Sequence, residues 1–276
     1  MTLNKPFSFN LSSTVNIAGL CLLTTLFIAG CASRKSEVAA PVASAPATQP
    51  QAITLFLVGD STMSDKPLMP AYPERGWGQL LPMYFKPSVR VANYAVNGRS
   101  SKSFIDEGKW QAVVEKIKPG DYVLIQFGHN DENKTNLVRY SEPFTTFKTN
   151  LTKYVRDTQA RQGIPILSTP VARRKFTASG RARETHGDHS VAVRQVAAEL
   201  QVPLLDMDKR SMELLDQMGP EQSKRLFDWI EPGEYQKLPE GLKDDSHLNA
   251  FGASRICDLA VLEVKVAAPD LAKHFK

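Results

Sequence analysis

From Ile53 onward, short apolar runs alternate with longer stretches of helical spacing. ITLFLV (53–58), VRVANYAV (89–96), DYVLIQFG (121–128), IPILSTP (164–170) and VPLLDM (202–207) predict five strands. The third and fourth are nearly continuous in apolar residues, as expected for parallel strands covered on both faces. Helical patterns lie around 77–86, 110–118, 142–162, 186–200 and 249–267. Gly120 and Gly163 stand where helices should stop, and Pro119 and Pro165 stand just before or at strand starts. Alternation of this kind predicts an α/β fold, a three-layer doubly wound parallel sheet of about five strands. There is no internal repeat. Residues 208–245 are the least regular and are expected to form a helical insertion near the functional site.

The first fifty residues follow a different pattern. Lys5 is the only charge before Cys31, and residues 17–30 form an apolar stretch. That stretch is shorter than the roughly 20 apolar residues of a membrane-spanning helix. A basic start, a short apolar core and small residues at its end describe an export signal over residues 1–30. Residues 31–51 are rich in Ala, Pro, Ser and Gln, with too little apolar surface to offset ordering entropy, and predict a flexible linker. Residues 52–276 are then expected to form one domain with a sizeable core. Cys21 and Cys31 lie in the leading segment, so Cys257 has no intradomain disulfide partner. The formal charge is +5, or +4 without Lys5. So small an excess argues against dedicated nucleic-acid binding and leaves acidic polymers open as partners.

In doubly wound sheets the reactive groups gather beyond the carboxyl ends of the strands. Ser61 follows the first predicted strand, Gly98 the second, and GHND (128–131) the third, while DDSHLN (244–249) precedes the last helix. Acyl transfer needs a hydroxyl nucleophile, a base, a group that orients the base, and donors for the developing oxyanion. Ser61 supplies a hydroxyl, His247 a base, and Asp244, three residues before the histidine, an orienting carboxylate. Asp245 is the rival for that last role. The backbone N–H groups of Ser61 and Gly98 and the side-chain amide of Asn130 are candidate oxyanion donors. There is no Gly-x-Ser-x-Gly elbow. None of this chemistry calls for a cofactor.

GDST, NYAVNGRSS, GHND and DSHLN, in this order, resemble the sequence blocks of the SGNH (GDSL-type) hydrolases. The resemblance runs from residue 56 to 252 and implies the flavodoxin-like fold of that family. It also implies a catalytic triad of Ser61, Asp244 and His247, with an oxyanion hole from Ser61, Gly98 and Asn130. AVNGRSSKSFIDEG and PVARRKF…THG further resemble the rhamnogalacturonan acetylesterase branch, which removes acetyl groups from pectic polysaccharide. Ile28-Ala29-Gly30-Cys31 resembles a bacterial lipobox, with Ile in place of the usual Leu, which would make Cys31 a lipidation site; a plain secretory signal is the alternative.

Around this core, His129 and His186 are candidate substrate contacts, each with a structural alternative. His186 and His189 share a helix face at the spacing of two metal ligands, but no further ligand-rich motif accompanies them, so no metal is expected. Arg173 and Arg174 open a basic run through Lys175, Arg181 and Arg183 that either meets uronate groups or is a solvated loop. Trp77 and Trp110 suit either sugar stacking or, at helical positions, the core. The expectation is an exported, lipid-anchored serine esterase of a bacterial envelope, on the outer membrane, that deacetylates plant cell-wall polysaccharide, pectin or xylan. A lipid or thioester hydrolase of the same fold and a non-catalytic glycan-binding lipoprotein are the alternatives.

Overall fold

The structure is a computed structural model that describes residues 52–68 and 73–276. The expected export signal, the linker and the lipidation site at Cys31 lie outside the described residues.

Five strands form a parallel sheet in the order β2-β1-β3-β4-β5: β1 Ile53–Gly59, β2 Val89–Asn93, β3 Tyr122–Gln126, β4 Ile164–Ser168 and β5 Leu204–Leu205. Side chains alternate across a strand, so each strand feeds two layers of core. Leu55 and Leu57 of β1 pack with Leu124, Ile166 and the buried face of α7 (Ala250–Ala267). Phe56 and Val58 point the other way, to Val123, Ile125 and the buried residues of α4 (Lys148–Ala160) and α5 (Asp188–Leu200). The three-layer α/β expectation is therefore borne out. Trp77 and Trp110 are both core residues, their indole N–H groups donating to Gln126 and Asp157.

Several elements differ from the expected pattern. The helix expected over 77–86 is α1 (Trp77–Leu80) followed by a 3-10 turn, Leu81–Tyr84. Pro82 has no N–H to continue the helical ladder. The sequence pattern predicts no helix between the second strand and residue 110, yet α2 (Ser101–Asp106) starts there through a reciprocal capping box between Ser100 and Ser103. It is followed by α3 (Lys109–Val114). α4 opens on a π-helical turn, Pro143–Phe147.

The stretch 208–245 is more regular than expected. α6 (Met207–Gln222) starts at an Asp206 cap and kinks at Gly219-Pro220. A separate antiparallel pair follows, β6 (Phe227–Ile230) and β7 (Leu242–Leu248), and the chain ends with α7 and α8 (Pro269–Ala272). Among the described residues no helix is long and apolar enough to cross a membrane.

Strand order reverses between β1 and β3, where such sheets open a crevice at their carboxyl ends. Beyond β2 the chain stays extended beside β1: Tyr94 and Val96 donate to the carbonyls of Leu57 and Gly59. That pairing delivers Gly98 next to the loop that carries Ser61.

Candidate active site

The serine loop is held by buried polar contacts on every side. Gly59 ends β1 where a Cβ would lie 2.8 Å from the Gln126 carbonyl oxygen. Asp60 is buried, and one carboxyl oxygen accepts from both the backbone N–H and the hydroxyl of Thr62, each at 2.9 Å. Burial pushes the Asp60 carboxyl above its usual range, against the pull of those bonds. The Gln126 amide in turn donates to the Thr62 hydroxyl at 2.7 Å. Ser61 is thus presented from a turn whose neighbours cannot rotate freely.

Ser61 Oγ lies 3.0 Å from Nε2 of His247, and His247 Nδ1 lies 2.7 Å from Asp244 Oδ2. The other Asp244 oxygen accepts from the backbone N–H groups of Ser246 (2.6 Å) and His247 (2.9 Å). The device that brings the two residues forward is a bulge. Phe227 pairs with Leu248 and Trp229 with Lys243, so one β6 residue, Asp228, faces four β7 residues, 244–247. Bulges of this kind re-aim side chains beside functional sites. Asp245, the rival carboxylate, turns away: it accepts from Arg174 Nη1 at 2.8 Å, Trp229 Nε1 at 3.0 Å and Lys175 Nζ at 3.2 Å.

The electrostatics suit a general base. Burial raises the Asp244 carboxyl, but the His247 imidazole and the two backbone N–H groups outweigh it and bring the group down to about 2. The Asp244 hydrogen bond raises the His247 imidazole above its usual value, partly opposed by burial.

The candidate oxyanion donors sit on the two loops beside Ser61. Gly98 has φ 69°, a left-handed conformation that favours glycine. Neither the Ser61 nor the Gly98 backbone N–H has a protein acceptor among the described residues. Asn130 Nδ2 donates to the Arg99 carbonyl at 3.0 Å, which ties the third loop to the second. Asp131 anchors that third loop by accepting from the Gly128 N–H and from the Ser101 N–H and hydroxyl. Burial lifts the Asp131 carboxyl to about 7 despite these bonds.

The candidate substrate contacts fare differently. The His186 side chain is 0% exposed, with Nδ1 3.1 Å from Glu132 Oε2 and Nε2 3.0 Å from the Val171 carbonyl. It braces the interior and has no surface to offer a substrate. His129 packs edge-on against His186, and burial and the neighbouring His186 and Arg173 charges keep its imidazole well below the usual value. His189 is also buried and bonds the Ser141 carbonyl. Among the described residues no group of three or more His, Cys, Asp or Glu is placed to hold a metal ion.

Arg173 and Arg174 are likewise engaged within the fold. Arg173 pairs with Glu132 and donates to the His129 carbonyl; Arg174, with its side chain 9% exposed, pairs with Asp245 and stacks over Trp229. Lys175 shares Asp245, and Arg181, 75% exposed, pairs with Asp216. Four of the five cations of the basic run are therefore paired with the protein's own carboxylates, which weakens its field at a uronate.

Two neighbours of the site escaped sequence reasoning. The Lys66 side chain is 0% exposed; its ammonium pairs with Glu74 at 2.6 Å and donates to Asn97, which also accepts from Ser64 at 2.5 Å. These bonds lock the loop after Ser61 to the loop before Gly98. Asp228, opposite the bulge, has a carboxyl raised to about 7 by burial and by the nearby Glu74 and Asp244 carboxylates. Lys66 stands in a polar stretch and Asp228 between Phe227 and Trp229, and neither carries a local pattern that would mark it as buried.

The sequence profile of the GDSL-like Lipase/Acylhydrolase family matches residues 57–255, and the chain belongs to this family. The chain is 39% identical over 222 residues to rhamnogalacturonan acetylesterase RhgT of Bacillus subtilis (strain 168), covering 80% of this chain and 94% of that protein. It is 33% identical over 211 residues to the probable rhamnogalacturonan acetylesterase YesY of the same organism, covering 76% and 92%. The crystal structure of Axe2, an acetylxylan esterase from Geobacillus stearothermophilus, superposes with a TM-score of 0.55 at 17% identity over 77% of this chain and 94% of that one. At that identity the superposition speaks for the fold alone. With the family in place, the chain is a carboxylic ester hydrolase.

Proposed function

We propose that this ester hydrolase is a carbohydrate acetylesterase that removes acetyl groups from a rhamnogalacturonan-type polysaccharide or its oligomers through an acyl-enzyme. The observation that carries the chemistry is the continuous line of hydrogen bonds from Ser61 through His247 to Asp244. In this reading His247 Nε2 accepts the Ser61 proton as Oγ attacks the acetyl carbonyl. Asp244 holds Nδ1–H and stabilises the imidazolium that forms. The oxyanion lies among the N–H groups of Ser61 and Gly98 and the Asn130 amide, all fixed before the reaction begins. His247 then protonates the leaving sugar hydroxyl, and water attacks the acetyl-serine to release acetate. The choice of acyl group and carbohydrate is supported by the two Bacillus relatives, whose names give that activity.

Acetate release from acetylated rhamnogalacturonan, acetylated xylan and a long-chain acyl ester tests this reading. The expected order is rhamnogalacturonan first, xylan well behind and the long-chain ester negligible. A preference for the long-chain ester would overturn it in favour of a lipid hydrolase.

We further propose export and anchoring of the chain through a lipid on Cys31, supported by the Ile28-Ala29-Gly30-Cys31 pattern after an apolar stretch. Metabolic labelling with a fatty acid should mark the protein and leave Cys31→Ser unmarked. A wild-type protein that carries no label would end this proposal.

A further inference from the structure

We infer that Arg139 binds the carboxylate of a uronic acid unit on the glycan being deacetylated. This rests on the carbohydrate acetylesterase reading above and adds a charge requirement to its substrate.

A cleft of about 250 Å³ opens beside the oxyanion loop, with Gly98 itself in its wall together with Arg99, Glu107, Asn136 and Arg139. Its one acidic wall residue is already occupied. Glu107 receives Lys109 Nζ at 2.9 Å and Arg99 Nε at 3.0 Å, and those two bonds hold its carboxyl below the usual range. Arg139 differs. Its backbone N–H bonds the Asn136 carbonyl, but its guanidinium has no acidic partner or hydrogen-bond acceptor among the described residues.

Arg139 is half-buried as a residue, and its guanidinium lies against the oxyanion loop: a Cβ on Gly98 would be 3.3 Å from Arg139 Nη2. A cation held beside the site without a protein acceptor keeps its donors open to an incoming anion. A planar fork of five donors matches a carboxylate through two parallel bonds, and that match separates arginine from lysine. A sugar whose acetyl group enters the space between Ser61 and Gly98 has its neighbouring units in reach of this cleft. In the basic run, Glu132, Asp245 and Asp216 pair with Arg173, Arg174, Lys175 and Arg181, and the exposed Arg183 does not line this cleft.

The test compares acetylated rhamnogalacturonan fragments with the same fragments after their uronic carboxyl groups are reduced to neutral alcohols. The wild type is expected to show kcat/KM about tenfold higher on the acidic fragments at low salt, with much of that margin lost in 0.5 M salt, where the screening length falls to a few ångströms. Arg139→Gln should raise KM for the acidic fragments and bring the acidic-to-neutral ratio close to one, with salt no longer altering it. Arg139→Lys should recover part of the ratio, since it keeps the charge and loses the fork. A merely structural role would lower turnover of both fragments together and leave the ratio and its salt response in place; that result overturns the assignment. Equal wild-type activity on both fragments also overturns it, while the acetylesterase reading stands. If the wild type releases no acetate from either, that reading fails and takes this one with it.

Discussion

Ser61 Oγ and His247 Nε2 lie 3.0 Å apart although 186 positions separate them in the chain. One stands just beyond the interior strand β1 and the other in a bulge of the antiparallel pair β6–β7. The contact exists because the β6–β7 pair brings His247 to the carboxyl end of β1. Replacing Ser61 with Ala removes a half-buried hydroxyl and leaves the fold's buried contacts in place. Turnover of an aryl acetate should drop by about 10⁴–10⁶, with little change in Tm. Retention of a tenth of the activity would remove Ser61 from the mechanism.

The pH dependence follows from the two shifted groups. His247 works as a base only when neutral, and its imidazole is raised above 6.5 by Asp244. Log kcat/KM should therefore climb with pH and level off at an apparent pKa above 6.5. The same pair stabilises the fold with the opposite trend. A raised His247 contributes fully below the unfolded value of 6.5, and that contribution is lost as pH rises through the higher folded value. Asp244, lowered from 3.8 to about 2, contributes above 3.8 and loses its effect as pH falls toward 2. The Tm difference between wild type and His247→Gln should thus be largest between 3.8 and 6.5 and shrink where activity appears. A pH–rate profile that is flat from acid to neutral would exclude His247 as the base.

Asn130 spends one amide hydrogen on the Arg99 carbonyl, which leaves the other for a substrate oxygen. A donor aimed at the oxyanion strengthens as charge develops, so Asn130→Ala should lower kcat by about 10²–10³ with a much smaller effect on KM. Steady-state kinetics on an aryl acetate separates the two constants. A change confined to KM would make Asn130 a binding residue instead.

Gly252, near the start of α7, sits where a Cβ would lie 1.8 Å from the Leu226 carbonyl oxygen. Leu226 leads into β6, and the Asn249 side chain binds the Arg225 and Phe227 carbonyls from the same turn. Gly252→Ala must push α7 away from the strand that supports the Asp244–His247 bulge. Overpacking of this sort costs about 1–3 kcal/mol, or roughly 2–12 °C in Tm for a domain of this size. Thermal unfolding should show that loss, and kcat should fall with it. An unchanged Tm would mean that the turn relaxes without moving β6.

What the sequence determined by itself is the layered sheet and the residue types at its rim. Strands buried on both faces advertise themselves as apolar runs, because each residue must face a hydrophobic layer whatever lies beyond it, and β1, β3 and β4 appear within a few residues of their expected bounds. Motif spacing likewise placed Ser61, Gly98, Asn130 and Asp244 with His247, since each stands at the end of a strand or three residues from its partner. Tertiary structure decided which charges remain available. Lys66 disappears into the interior beside Glu74, and Arg173, Arg174, Lys175 and Arg181 are taken up by Glu132, Asp245 and Asp216. Arg139 is left against Gly98. It also decided how the base is aimed, through four β7 residues bulging opposite Asp228. The physical reason is one of range. Periodicity records how a segment meets a layer, whereas an ion pair or a bulge depends on two segments far apart in the chain, and neither of them carries a local trace of the other.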